Sequence, residues 1–143
     1  MARLDALGWP GYNHPMLACN ISRGTLLARR VRVANSWWSR FRGLMLVPRL
    51  APGEGLLIER CRAVHTHFMR FPIDVLFLGA DDTVVGVVRA MPPWRVGRYY
   101  REARRVLELP AGTVHATGTQ LGDRVRLQSQ EARPIRQSVC SKG

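Results

Sequence analysis

At 143 residues, 46% apolar and 22% charged, the chain has the composition of an ordinary globular domain and the length for one sizeable core rather than two. No run approaches the roughly 18 apolar residues of a membrane-spanning helix, and the opening MARLDALGWPGYNHP lacks the apolar segment of a secretory signal, so a cytoplasmic protein without membrane insertion is expected. The net charge of +12, arginine apart from Lys142, makes polyanions such as nucleic acid candidate partners, although the arginines scatter from Arg3 to Arg136 and outline no stripe.

Residues 1–14, rich in Gly, Pro, Asn and aromatics without periodicity, predict a loose arm. MLACNI, an SRG turn and TLLARRVRVA predict a hairpin, with Gly24 supplying the unusual backbone angles. Over about 36–46 the spacing changes. Asn35-Ser36 are good helix caps, and Trp37, Phe41, Leu44 and Met45 recur on one helical face. EGLLIE, AVHTHFM, DVLFL, TVVGVVRA, RRVLELP and DRVRLQ are then of strand length and bounded by turn residues. Phe71-Pro72 separates the second of these from the third, because proline cannot donate to a ladder. The polar tail 129–143 predicts disorder. The expected fold is mainly β, an antiparallel-rich distorted sandwich or barrel of about eight short strands with one short helix, forming a single domain over 15–128.

GLM in the helical segment, then HTHFMRFPIDVLFL, VLELPAG and LGDRV, in that order, resemble the DUF192 family, also called UPF0127, from about Thr25 to Leu127. The resemblance implies a mainly β, sandwich-like domain with no assigned activity. It also implies export for many members, which the start of this chain does not match. His67 stands where the family usually carries an aromatic.

The stretch CRAVHTHFMRFPIDVLFL concentrates the reactive side chains. Read as a strand, it places Cys61, His65, His67 and Met69 on one face. A thiol, two imidazoles and a thioether are a soft ligand set, but same-face neighbours about 6.5–7 Å apart form a row, not a shell; a shared ion would need His115 or Asp74 as well. Cys61 is about 13 Å along a strand from His65, too far for activation, so a small buried hydrophobe is the plainer account. The three cysteines, Cys19, Cys61 and Cys140, include no CxxC pair and fit a reducing compartment rather than a disulfide framework.

Asp74 opens an apolar run and must keep water, pair with arginine or accept backbone hydrogen bonds. Glu108, inside VLELPAG, poses the same question, with Arg70 or Arg42 as candidate partners. In RAMPPWRVGRYYREARR, residues 89–105, six arginines interleave with Trp94, Tyr99 and Tyr100, which suits stacking combined with phosphate contact. AGTVHATGTQLGD lacks the GK[ST] ending of a phosphate loop, so Gly112 and Gly122 are turn formers.

The expectation is a binding module for a small polar or anionic ligand, a carbohydrate among the candidates, with His65, Thr66, Met69, Asp74, Trp94 and Arg98 at the site. Neither a metal nor a cofactor is expected. A hydrolase using Asp74 and Glu108, with His65 assisting, is the alternative and requires the two carboxylates to converge. Nucleic-acid binding through the 89–105 loop is a third reading. No feature of the sequence specifies an oligomeric state.

Overall fold

The computed structural model describes residues 15–36, 40, 43–45, 47–129 and 140–142. Among them seven strands form one sheet: β1 Met16–Asn20, β2 Thr25–Ala34, β3 Glu54–Glu59, β4 Ile73–Leu78, β5 Val84–Met91, β6 Arg105–Pro110 and β7 Val125–Ser129. The spatial order is β5-β4-β6-β3-β2-β1-β7. Every pairing is antiparallel except β2 with β3.

The sheet curls so far that its two edges meet at one corner. There Val84 N–H donates to the Asp123 carbonyl at 2.8 Å and Gly122 N–H to the Val84 carbonyl at 2.9 Å. Side chains buttress this corner: the Asp123 carboxylate accepts from Arg23 Nε at 2.6 Å and from Asn20 Nδ2 at 2.9 Å. Contact between the edges is what makes a half-barrel of an open sheet, and it shields edge groups that would otherwise pair with another chain.

Strand β4, IDVLFL, is buried at all six positions, as a continuous apolar strand covered on both faces should be. Ile73, Val75 and Phe77 pack with Leu56, Ile58 and Val106 on one side. Leu76 and Leu78 pack with Val31, Leu57, Leu107 and Leu109 on the other. Register decides which face each polar intruder occupies. Glu108 lies opposite Val75 and Leu56, whereas Asp74 lies opposite Leu109, so the two carboxylates sit on opposite faces of the sheet.

The mainly β fold is as expected, with two differences in its elements. AVHTHFM is not a strand; it makes an isolated bridge, His65 with Val96, and turns back where Met69 N–H donates to the Thr66 carbonyl at 3.2 Å. The expected helix over 36–46 falls largely outside the described residues. Within them, Arg40 N–H donates to the Ser36 carbonyl at 3.0 Å, one helical turn, and Leu44 is buried in the core. The helix described in full, α1 Thr113–Thr117, follows Gly112 with φ at +96°. The arm 1–14 and residues 130–139 of the tail lie outside the described residues, but Cys140 lies within them. It is disulfide-bonded to Cys19 with the Cα atoms 5.6 Å apart, which corrects the expectation that the cysteines fit a reducing compartment without a disulfide.

Candidate binding site on two zipped loops

The segments 61–72 and 92–104, drawn from opposite ends of the reactive stretches, run against each other. Cys61 N–H donates to the Arg104 carbonyl, Tyr100 N–H to Arg62, Gly97 N–H to Val64, Thr66 N–H to Arg95 and Trp94 N–H to Thr66, at 2.8–3.0 Å. Thr66 is fully buried and fastens the far end, its hydroxyl donating to the Pro92 carbonyl at 2.7 Å and accepting from Arg95 N–H at 2.9 Å. Gly97 permits the close approach, since a Cβ there would lie 3.0 Å from the Val64 carbonyl. Gly86 does the same for the loop's return, because a Cβ would lie 2.3 Å from the Tyr100 ring, which stacks on Phe77 with centroids 4.0 Å apart.

At the fastened end stands a row of rings. The centroids of His65 and His67 are 5.3 Å apart, those of His67 and Trp94 5.9 Å, and those of Phe68 and Trp94 4.8 Å. His67 thus takes an aromatic's place in an aromatic row. Phe68 and Trp94 have φ of +61° and +62°, the left-handed region that costs a bulky residue of order 1–3 kcal/mol. They are nonetheless 49% and 59% exposed.

Beneath the row, His65, Met69, Cys61, Ile58, Leu44 and Glu108 line a cavity of about 40 Å³. That is room for a few waters and well short of the ~300 Å³ at which small-molecule sites begin. Glu108 is 3% exposed, its Oε2 has no hydrogen-bond partner, and burial pushes its carboxyl up to about 8. It is therefore largely a neutral acid at pH 7. Of the two arginines expected beside it from the sequence, Arg70 makes no described ion pair with it, and Arg42 lies outside the described residues. Burial, above all, pushes the Cys61 thiol up as well, and the thiol donates to the Ala63 carbonyl at 2.9 Å. A protonated thiol so engaged is no nucleophile. Among the described residues no three His, Cys, Asp or Glu side chains gather as a metal site would require.

The other residues singled out from sequence separate. Asp74 is 1% exposed and spends its carboxylate on backbone. Oδ1 accepts from Ala90 N–H at 2.8 Å, and Oδ2 from Gly112 N–H at 3.1 Å and Val114 N–H at 2.8 Å. It caps α1 and holds the irregular end of β5, where Ala90 has φ of +47°. With Glu108 on the opposite face, the two carboxylates cannot flank one bond, which removes the geometric basis of the hydrolase alternative. Arg98 lies apart from the ring row, beside Tyr99, Tyr100 and Arg101 in a shallow depression. His115 is exposed on α1, away from the cavity lining. Phe68 and His67 were the members of the row that sequence reasoning did not place at the site; their signal was two aromatic-type side chains within a motif that also needed a turn.

A half-barrel carrying a zipped, ring-bearing double loop defines a small β scaffold that presents side chains on loops. The DUF192 family model, described as uncharacterized ACR, matches residues 18–127. The chain belongs to the DUF192, or UPF0127, family. It is 37% identical over 109 residues to a UPF0127 protein of Pyrococcus furiosus, covering 74% of this chain and 93% of that one. It is 32% identical over 121 residues to one of Thermococcus sibiricus, covering 80% and 76%. Among solved structures, a Sinorhizobium meliloti protein carrying the provisional label of transcription regulator superposes with a TM-score of 0.74 at 27% identity, covering 84% of this chain and 98% of that one. A Novosphingobium aromaticivorans protein of unknown function superposes with a TM-score of 0.69 at 21% identity, covering 78% and 83%, and shares the fold. No helix among the described residues is long and apolar enough to cross a membrane.

Proposed function

We propose that this protein is a binding module for a small, ring-bearing polar or anionic ligand, a sugar or sugar acid being the chemistry that fits. The ligand's flat face lies on Phe68 and Trp94, with His67 beside it. The observation that carries this reading is the pair of exposed rings held in left-handed backbone. Stacking on aromatic faces contributes without demanding charge neutralisation, and Arg70 and Arg95, exposed on the same two loops, suit an acidic substituent. The cavity below admits nothing larger than a hydroxyl or carboxylate, so the body of the ligand stays outside. Nucleic acid is the competing reading, supported by the net charge of +12 and by the provisional label of the Sinorhizobium relative. Residence in the cytoplasm remains part of the proposal, although a persisting Cys19–Cys140 disulfide favours an oxidising compartment.

The test is a tryptophan-fluorescence titration of the full chain and of Trp94→Ala with neutral sugars, sugar acids and an oligonucleotide. Saturable binding of one sugar class, weakened tenfold or more in Trp94→Ala, is expected, because a stacked ring is worth ~1–3 kcal/mol. Equal affinity for both proteins, or saturation by the oligonucleotide alone with steep loss in salt, would overturn it.

A further inference from the structure

At the opposite end of the zipped loops, a groove of about 600 Å³ is lined by Glu59, Arg60, Arg62, Gly79, Ala80, Arg104 and Arg105. Four of its seven lining residues are arginines, drawn from two places in the chain that the half-barrel brings together, the turn after β3 and the start of β6 with the residue before it. Arg105 is already engaged, by Asp82 and by Glu59 at 3.5 Å. The other three have no carboxylate partner among the described residues.

Two of them are held in place by neutral groups. Arg62 Nε donates to the Ala103 carbonyl at 3.2 Å, and Arg62 Nη1 to the Tyr99 hydroxyl at 3.0 Å. Arg104 Nη1 donates to the same Ala103 carbonyl at 3.3 Å. One oxygen therefore pins two guanidinium groups side by side. Like charges so placed repel each other, and an anion seated between them would remove that repulsion. Arg60 adds a third cation from a residue in left-handed backbone, φ +53°, outside the conformations a side chain of its type ordinarily adopts.

We infer that this groove binds a phosphorylated small molecule carrying at least two phosphates. Guanidinium forks match phosphate oxygens in pairs, and arginines fixed in advance lose little freedom when the anion arrives. The groove's volume is that of a nucleotide-sized ligand, and Tyr99, 58% exposed and bonded to Arg62, offers a ring at its rim. The site is separate from the Phe68–Trp94 row and does not depend on it.

Calorimetric titration of the full chain at low salt, with orthophosphate, pyrophosphate, ADP and a twelve-residue oligonucleotide, tests it. Pyrophosphate and ADP should bind at one site at least tenfold more tightly than orthophosphate. Arg104→Gln, which removes charge with little loss of volume, should weaken pyrophosphate tenfold or more, and Arg62→Lys, which keeps charge but loses the fork, should weaken it several-fold. Trp94→Ala should leave it unchanged. Absence of pyrophosphate binding, affinity indifferent to Arg104→Gln in protein with unaltered thermal unfolding, or binding only by the oligonucleotide would overturn the assignment. The two variants keep the test valid if one of them fails to fold.

Discussion

Asp74 is a carboxylate whose position in the sequence suggested chemistry and whose surroundings give it architecture. Three backbone N–H groups, one on β5 and two at the start of α1, end on its two oxygens. Asp74→Ala strands all three in a buried place, and each unsatisfied group costs about 1–3 kcal/mol. Denaturant unfolding should show a loss of about 3 kcal/mol or more, and a variant as stable as the parent would contradict the capping role. Glu108 is the opposite case, a buried acid without a partner on Oε2. Its folded-state value, about 8, lies above that of an unfolded glutamate, so the folded chain binds more protons than the unfolded one between about pH 4.5 and 8. Its contribution is thus fully present below pH 4.5 and lost as pH rises through 8. Glu108→Gln should flatten this decline and unfold at a higher temperature than the parent at pH 8.5; a parallel pair of stability–pH curves would contradict it. Neither carboxylate's role was legible in sequence, because Asp74 needs donors from residues 90, 112 and 114 and Glu108 needs a register.

At the scale of elements, what could be read was what depends on neighbours along the chain. The period-2 runs, the SRG turn and the glycines at 24, 112 and 122 specify strands and turns locally, and Gly24, Gly112 and Gly122 do take positive φ. The 63–69 segment misleads because alternation and β-branching in AVHTHF imitate a strand, while the left-handed Phe68 and the bend before Pro72 break it. Helix α1 was missed because five residues without a local side-chain cap carry no periodic signal; its cap is 40 residues away. The disulfide was missed for a similar reason, since Cys19 and Cys140 are 121 residues apart in sequence and meet only once β1 is in place. Cross-linking so long a loop is worth about 2–4 kcal/mol. Cys140→Ser should lower stability by that amount, and thiol titration of the denatured, unreduced protein should find one reactive group, Cys61. Three reactive thiols would show that the bridge does not form.

For the whole molecule, the half-barrel brings together two stretches that lie some thirty residues apart in the sequence. CRAVHTHFMRF and PPWRVGRYYREAR were expected to contribute to one small-ligand site, with nucleic-acid binding by the second stretch as a separate reading. Zipped together they form one double loop, with exposed rings at one end and a group of arginines at the other, over a core that uses Val64, Met69 and Ala103 from both. The reactive appearance of the first stretch divides accordingly: Cys61 and Met69 serve the core and the cavity, Thr66 serves the zipper, and His67 joins the ring row. The central claim is that this row is a ligand platform. Chemical-shift mapping of the isotopically labelled chain against a sugar and sugar-acid panel tests it most directly. The account predicts saturable shifts centred on His67, Phe68, Trp94 and Arg95, with the Asp74 cap and β7 unmoved; an inert row, with shifts absent or confined to other surfaces, would contradict it.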